Sequence, residues 1–156
     1  MIYLVFCSRN WEFKTDETNL YSTIAKQYNI EEKLRELGRN IAIQGEIIGP
    51  GISKNPEKLN DKQFFVFDIY DIDKQEYLNP RDRIDLAVQK LHLQHVPLIG
   101  IDQFLQKYPD NDSLLEFSNG KSLNAKVREC LVFKNINNPS ISFKVINNKY
   151  LLKQKD

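Results

Sequence analysis

Residues Ile41–Ile48 read IAIQGEII, residues 49–55 read GPGISKN, and after a polar spacer residues Phe64–Asp71 read FFVFDIYD. Two apolar runs thus flank a turn-rich loop. Each run carries carboxylates where a plain core strand would place Val or Ile. In the first, Ile41, Ile43 and Ile47 fall on one face at period two, with Gln44 and Glu46 on the other. Gly45 removes a side chain beside Glu46, which leaves room for something to approach closely. Gly49-Pro50-Gly51 then forces a turn. In the second run, Phe65, Phe67 and Ile69 share one face and Phe64, Val66, Asp68 and Tyr70 the other. Both faces are mostly apolar, so this strand is expected at the centre of a sheet. Glu46 on the open face of a strand, just before the turn, suits a pocket wall or the solvated face of an amphipathic strand.

Around these runs the chain punctuates itself clearly. Residues 2–7 (IYLVFC) read as a buried strand ending at Ser8-Arg9-Asn10. Residues 18–37 read as helical, with Leu20, Tyr21, Ile24, Ala25 and Tyr28 on one face. A second short helix there has Glu31 and Glu32 in its first turn and Gly38 at its end. Asn79-Pro80 starts another helix, with Ile84, Ala87, Val88 and Leu91 facing inward. His92 and His95 read as a solvated pair near its C-terminus, since no third metal ligand is near in sequence. Leu98–Ile101 is expected to form a short strand. Two short helices follow, over 102–108 and 113–118, the second capped by Asp112. Arg128–Lys134 and Ile141–Ile146 read as a hairpin across an Asn-rich turn, and Lys134 and Lys144 are expected to face a common groove. The tail, Asn147–Asp156, is basic and reads as a short helix or a frayed end. Helices segregated between groups of strands with hairpin spacing give the class α+β.

The bulk numbers narrow the rest. The 156 residues suffice for one domain with its own core, and a net charge of +1 does not announce a nucleic-acid binder. A local basic groove is still compatible with 22 Lys and Arg against 21 Asp and Glu. Cys7 and Cys130 form no disulfide framework and no metal spacing, and both read as reduced thiols of a cytoplasmic protein. The apolar opening is too short for a signal-peptide core or a membrane span, which takes about 20 residues.

The motifs resemble those of one family in order along nearly the whole chain. QGEIIGPGISKNPEKL with FFVFDIYD resembles motifs III and IIIa of ATP-dependent RNA ligases, particularly the Deinococcus-type branch. These belong to the covalent nucleotidyltransferase superfamily, with DNA ligases and mRNA capping enzymes. RECLVFK (128–134) resembles motif IV, SFKVINNKYLLK (142–153) motif V, and CSRN (7–10) the serine-arginine motif that follows the nucleophile strand. The resemblance implies a ligase-type domain of largely antiparallel sheets over residues 1–156. It implies ATP and Mg²⁺ as cofactors and RNA ends as partners. In that family a lysine attacks the α-phosphate of ATP, and the AMP passes to an RNA 5′-phosphate and is displaced by a 3′-hydroxyl. By the same resemblance Arg9 contacts phosphate or ribose, Glu46 holds the ribose hydroxyls and Phe67 stacks on adenine. Glu129 positions Mg²⁺ through water, Lys144 meets the α-phosphate, and Lys134 is a further candidate for that cluster.

Three departures qualify the resemblance. Cys130 stands where motif IV has Gly, and Ile146 stands where related ligases often carry a second motif V lysine. The Lys-x-Asp-Gly of motif I does not occur; Lys14-Thr15-Asp16-Glu17 imitates it but lies after CSRN and lacks the Gly. The expectation is an N-terminally incomplete domain, inactive by itself. A second polypeptide would supply the missing strand, or the apolar edge at Ile2–Cys7 would self-associate. The alternative is a non-catalytic protein that binds nucleotide or RNA ends.

Overall fold

A computed structural model describes residues 4–13 and 18–153. Ile2 and Tyr3 of the opening strand, and the motif I look-alike Lys14–Glu17, lie outside the described residues. The chain read from its sequence as one domain divides into two compact units: residues 1–47 with 62–95, and residues 48–61 with 96–156.

The first unit is organised on its longest strand. It contains β1 (Phe6–Cys7), β2 (Glu12–Phe13), α1 (Leu20–Gln27), α2 (Ile30–Leu37), β3 (Ile41–Ile48), β4 (Gln63–Asp71), β5 (Glu76–Tyr77), α3 (Pro80–Ile84) and β6 (Gln94–His95). β4 is hydrogen-bonded to β3, to β5 in antiparallel register (Tyr70↔Tyr77) and to β6 in parallel register (Phe65↔Gln94, Val66↔His95). As expected of a central strand, residues of both its faces are buried: Phe65 and Ile69 on one, Val66 and Asp68 on the other. Val66 and Ile69 join Leu78, Leu86, Ala87, Leu91 and Leu93 in the core, and Tyr28, Ile30, Leu37, Ile41, Ile43, Phe64 and Val88 pack around it.

Local signals account for most boundaries in this unit. Asn19 and Ser22 form a reciprocal capping box at the start of α1. Asn29, at φ 52°, breaks the helical stretch in two, and Gly38, at φ 63°, ends α2. Asn79 caps α3 with Pro80 at its first position. The helix then widens into a π-helical stretch, Asp85–Lys90, seen in the bond from the Leu91 amide to the Leu86 carbonyl (2.9 Å). That widening was not legible from the 3.6-residue stripe, yet it still buries Leu86, Ala87 and Leu91.

Three sequence expectations for this unit need correction. Among the described residues of the opening strand, 4–7, the strand is confined to Phe6–Cys7, paired with Glu12–Phe13 through a local turn, and Val5 and Cys7 are exposed. One edge of that strand is therefore met within the chain. The short strand after α3 is β6, and residues 98–101 are irregular. His92 and His95 are not a solvated pair. His92 is exposed at φ 50°, whereas the His95 imidazole accepts a hydrogen bond from Arg83 Nε (3.0 Å). Arg83 also donates to Asp68 (3.1 Å), and both side chains of this ion pair are nearly fully buried. Burial pulls the Arg83 pKa below its ordinary value, and the Asp68 carboxylate opposes that pull.

The second unit holds α4 (Phe104–Lys107), α5 (Asn111–Ser118), the antiparallel hairpin β7 (Cys130–Lys134) and β8 (Ser142–Ile146), and α6 (Asn148–Lys153). Asp110, not Asp112, caps α5 by accepting from the Ser113 amide (2.8 Å). One face of the hairpin carries Leu131, Phe133, Phe143 and Val145, with Phe133 and Phe143 stacked at 4.9 Å. Phe104 of α4 meets Phe133 edge-on, and Phe117 of α5 stacks on Phe104 and Tyr108. This aromatic chain ties the hairpin to the helices.

Irregular backbone in this unit is held by side chains. Arg128 donates to the carbonyls of Phe117 (3.2 Å), Ser118 (2.8 Å) and Asn119 (3.0 Å), satisfying the end of α5. A Cβ at Gly120 would run into that guanidinium. Glu57, buried in the loop after the Gly-Pro-Gly turn, accepts from the amides of Asn124 (2.7 Å) and Ala125 (3.0 Å). Burial raises its pKa, but the hydrogen bonds from Ser122, Asn124 and Ala125 outweigh burial and hold it below the ordinary 4.5.

Two predictions follow from these contacts. Replacing Asp68 by Ala leaves Arg83 buried without its counter-ion, and should cost about 3–5 kcal/mol of stability in urea unfolding. Glu57 binds fewer protons folded than unfolded, so its stabilisation is full above its ordinary pKa and lost as pH falls through the lower folded value. Glu57→Gln should therefore lower stability at pH 7 by about 2 kcal/mol. It should also flatten the acid limb of the stability–pH curve, and an unchanged acid limb would refute the assignment.

Candidate functional site

In the first unit, β3 presents Glu46 as an exposed carboxylate and β4 presents Phe67. Phe67 shares a face with Phe65 and Ile69, which are 6% and 0% exposed, yet is itself 37% exposed. It is the most exposed aromatic of the FFVF run. Gly45 explains how β3 and β4 come so close. A Cβ there would sit against the Phe64 ring and 2.6 Å from the Phe65 carbonyl oxygen, so the close approach is that of the neighbouring strand.

Arg9 is exposed at the β1–β2 turn. Ser8 builds that turn: its amide donates to the Trp11 carbonyl (2.8 Å), and its hydroxyl accepts from the Trp11 amide (3.2 Å). Arg9 forms no ion pair among the described residues, so its guanidinium is available to an anion. Phe13 stacks on Tyr21 of α1 (4.8 Å) and so fixes the hairpin that carries it.

In the second unit the register sets Cys130, Val132 and Lys134 on one face of the hairpin with Ser142, Lys144 and Ile146. Lys134 and Lys144 therefore lie on a common face of the hairpin. Strict alternation would send Glu129 to the opposite face. Glu129 precedes the strand in a bend, however, and its carboxylate accepts from Lys144 Nζ at 2.8 Å. About half of each side chain is exposed. The Glu129 bond, with a smaller contribution from Cys130, holds the Lys144 pKa above its ordinary 10.5. Lys144 is thus a persistent cation at neutral pH, suited to offsetting phosphate charge rather than to attacking as a free amine.

Sequence reasoning missed what holds this pair. Asn147 is fully buried; its amide donates to the Glu129 carbonyl (2.9 Å) and its side chain to the Arg128 carbonyl (3.1 Å). Its Oδ1 also accepts from the Lys149 amide (2.9 Å) at the start of α6. An Asn-Asn pair between a strand and a helix is the signal that could have pointed to a cap.

A metal can be tested against these donors. Among the described residues no group of three or more His, Cys, Asp and Glu converges, so there is no all-protein cage. A single half-exposed carboxylate such as Glu129 fits the way Mg²⁺ is held, by one or two carboxylates with water and phosphate oxygens completing the shell.

Comparison with known proteins agrees with these motifs. An RNA ligase family model matches residues 1–146. No curated protein matches the chain. Among solved structures, the chain is similar to a Naegleria gruberi RNA ligase mutant with AMP and manganese (TM-score 0.83, 40% identity, 96% of this chain and 45% of that one). It is similar to a second mutant with ATP and manganese (TM-score 0.85, 41% identity, 96% and 45%). It is likewise similar to the ligase with pyrophosphate (TM-score 0.84, 42% identity, 96% and 45%). The chain thus spans less than half the length of these ligases. With the family match over most of its residues and the motif side chains placed as described, the chain belongs to the RNA ligase family.

Proposed function

We propose that this chain is the nucleotide-handling part of an ATP-dependent RNA ligase that seals RNA 5′-phosphate and 3′-hydroxyl ends through AMP, in RNA repair in the cytoplasm. The observation that carries the reading is the Glu129–Lys144 pair on one hairpin face of a chain of this family. Phe67 offers its open ring to the adenine, Glu46 accepts from the ribose hydroxyls, and Arg9 meets phosphate or ribose. Lys144, with Lys134 on the same face, neutralises the α-phosphate as negative charge builds on its oxygens. Glu129 would hold Mg²⁺, which when bound supplies positive charge to the phosphates. Glu129 and a phosphate compete for one ammonium, so a nucleotide draws Lys144 away from Glu129 and frees the carboxylate.

Adenylylation needs an amine that bonds to the α-phosphorus while the bond to the bridging oxygen breaks and pyrophosphate leaves. The 156 residues contain no Lys-x-Asp-Gly, and Lys144 is held protonated. We therefore read this chain as binding ATP without forming the adduct. A further polypeptide segment would supply the nucleophile. The second reading, a non-catalytic binder of nucleotide or RNA ends, is favoured by Cys130 and Ile146 standing where ligases carry Gly and Lys.

Two outcomes are expected. The 156-residue chain incubated with labelled ATP and Mg²⁺ retains no label after denaturing electrophoresis; label mapped to any lysine overturns the absence of a nucleophile. In calorimetry the chain binds ATP, and Lys144→Met weakens binding about 10- to 100-fold, the range of one lost charge-assisted hydrogen bond. Equal affinity of the variant would remove Lys144 from the phosphate site, and no ATP binding by the parent chain would refute the nucleotide reading.

A further inference from the structure

The carboxylate of Glu57 fastens two loops of the second unit together, and each loop carries exposed lysines. The first, residues 49–60, holds Lys54 and Lys58; the second, residues 121–128, holds Lys121 and Lys126. Glu57 is the chain neighbour of Lys58 and bonds the amide of Ala125, the chain neighbour of Lys126. The Ser122 amide donates to the Ala125 carbonyl (3.0 Å), which closes a turn in the second loop just after Lys121. Four exposed lysines therefore lie on the two loops that this clamp joins.

No surface carboxylate opposes them within these loops. Glu57, their only acid, is 8% exposed and occupied by the amides of the second loop. Arg128 is turned inward on the end of α5. The flanking acids are Asp61 and Glu129, and Glu129 is already bound by Lys144. Among the described residues none of the four lysines is in an ion pair.

The first loop holds its lysines in unusual backbone. Ser53, Lys54, Asn55 and Lys58 all have positive φ (44°, 60°, 49° and 51°). Such conformations cost of order 1 kcal/mol or more each. Asn55 fixes the loop by exchanging hydrogen bonds with the Leu59 amide and carbonyl (3.0 and 2.8 Å). Lysines on a pinned loop lose less freedom on meeting a ligand than lysines on a loose one.

We propose that Lys54, Lys58, Lys121 and Lys126 form a docking surface for the phosphodiester backbone of single-stranded RNA. The surface extends the proposed ligase reading and rests on it, because it gives the RNA contacts besides the Glu129–Lys144 pair. Its contacts are ionic and carry no base sequence information, so binding here is sequence-independent and falls steeply with salt.

The test is fluorescence anisotropy of a 5′-phosphorylated single-stranded RNA with the full chain between 50 and 200 mM salt, with ATP binding measured in parallel. Four phosphate contacts give a slope of about −2.8 in log K against log salt, a loss of about fifty-fold over that range. Lys54→Gln with Lys58→Gln, and separately Lys121→Gln with Lys126→Gln, should each halve the slope, leaving a loss of about sevenfold. Lys26→Gln with Lys74→Gln, exposed lysines of the first unit, should leave the slope unchanged. The proposal is overturned if both loop variants keep the parent slope, if the control pair lowers it equally, or if the parent chain binds ATP but not RNA. Loss of ATP binding with the lysine dependence intact would instead remove the nucleotide reading and leave the surface standing.

Discussion

A carboxylate on a strand covered on both faces must be neutralised or met by a cation, and Asp68 is met. β4 is the strand on which the first unit is arranged, and its Val66–Asp68 face is sealed. Arg83 reaches that face from α3, bonds Asp68 and donates to His95, whose strand β6 is paired to β4 beside Val66. One guanidinium thus links helix, central strand and edge strand. Such a pair contributes little net stability compared with an apolar packing, but breaking it leaves a buried charge, so it fixes which helix lies over which strand. The opposite face of β4 is then left to hold Phe67 at a surface.

The second unit solves a different problem. Much of its backbone is neither helix nor strand, and buried amides and carbonyls there still need partners. Three residues provide them, Asn147 with both its backbone amide and its side chain. Arg128 satisfies the end of α5, Asn147 binds the carbonyls of residues 128 and 129, and Glu57 gathers the amides of 124 and 125. All three act on the segment that leads into Glu129. The position of the Glu129–Lys144 pair is therefore set by hydrogen bonds to backbone on both sides of it rather than by strand alternation.

This difference decides what could be read from the sequence. β3 and β4 were legible to within a residue or two because period two and the Gly-Pro-Gly turn are local signals. The helix ends at Gly38 and Asn79 were legible for the same reason. The candidate residues Arg9, Glu46, Phe67, Glu129, Lys134 and Lys144 were legible only through resemblance, since each by itself suits an ordinary surface position. The partners of Asp68, Arg128 and Glu57 were not legible. They lie 15, 10 and 67 residues away, measured to Arg83, Ser118 and Asn124, and no periodicity encodes such distances. His95 was misread because a loop histidine close in sequence to a helix end gave no sign that it would join the sheet.

A net charge of +1 does not announce a polyanion partner but leaves a local basic groove possible, because that sum counts unlike cations alike. Cations here differ by what already holds them. Arg83 and Arg128 are spent on the interior, bonded to a buried carboxylate and to helix-end carbonyls. Arg35, Arg39 and Lys107 are matched by Glu31, Asp71 and Asp102. Lys144 is held by the half-exposed carboxylate of Glu129. Net charge counts all of these alike, yet a field at the surface arises only from cations whose neighbours do not cancel them within about a Debye length. Glu57 is the one acid of the two lysine-bearing loops, and its carboxylate is held by the amides of Asn124 and Ala125 instead of by a lysine.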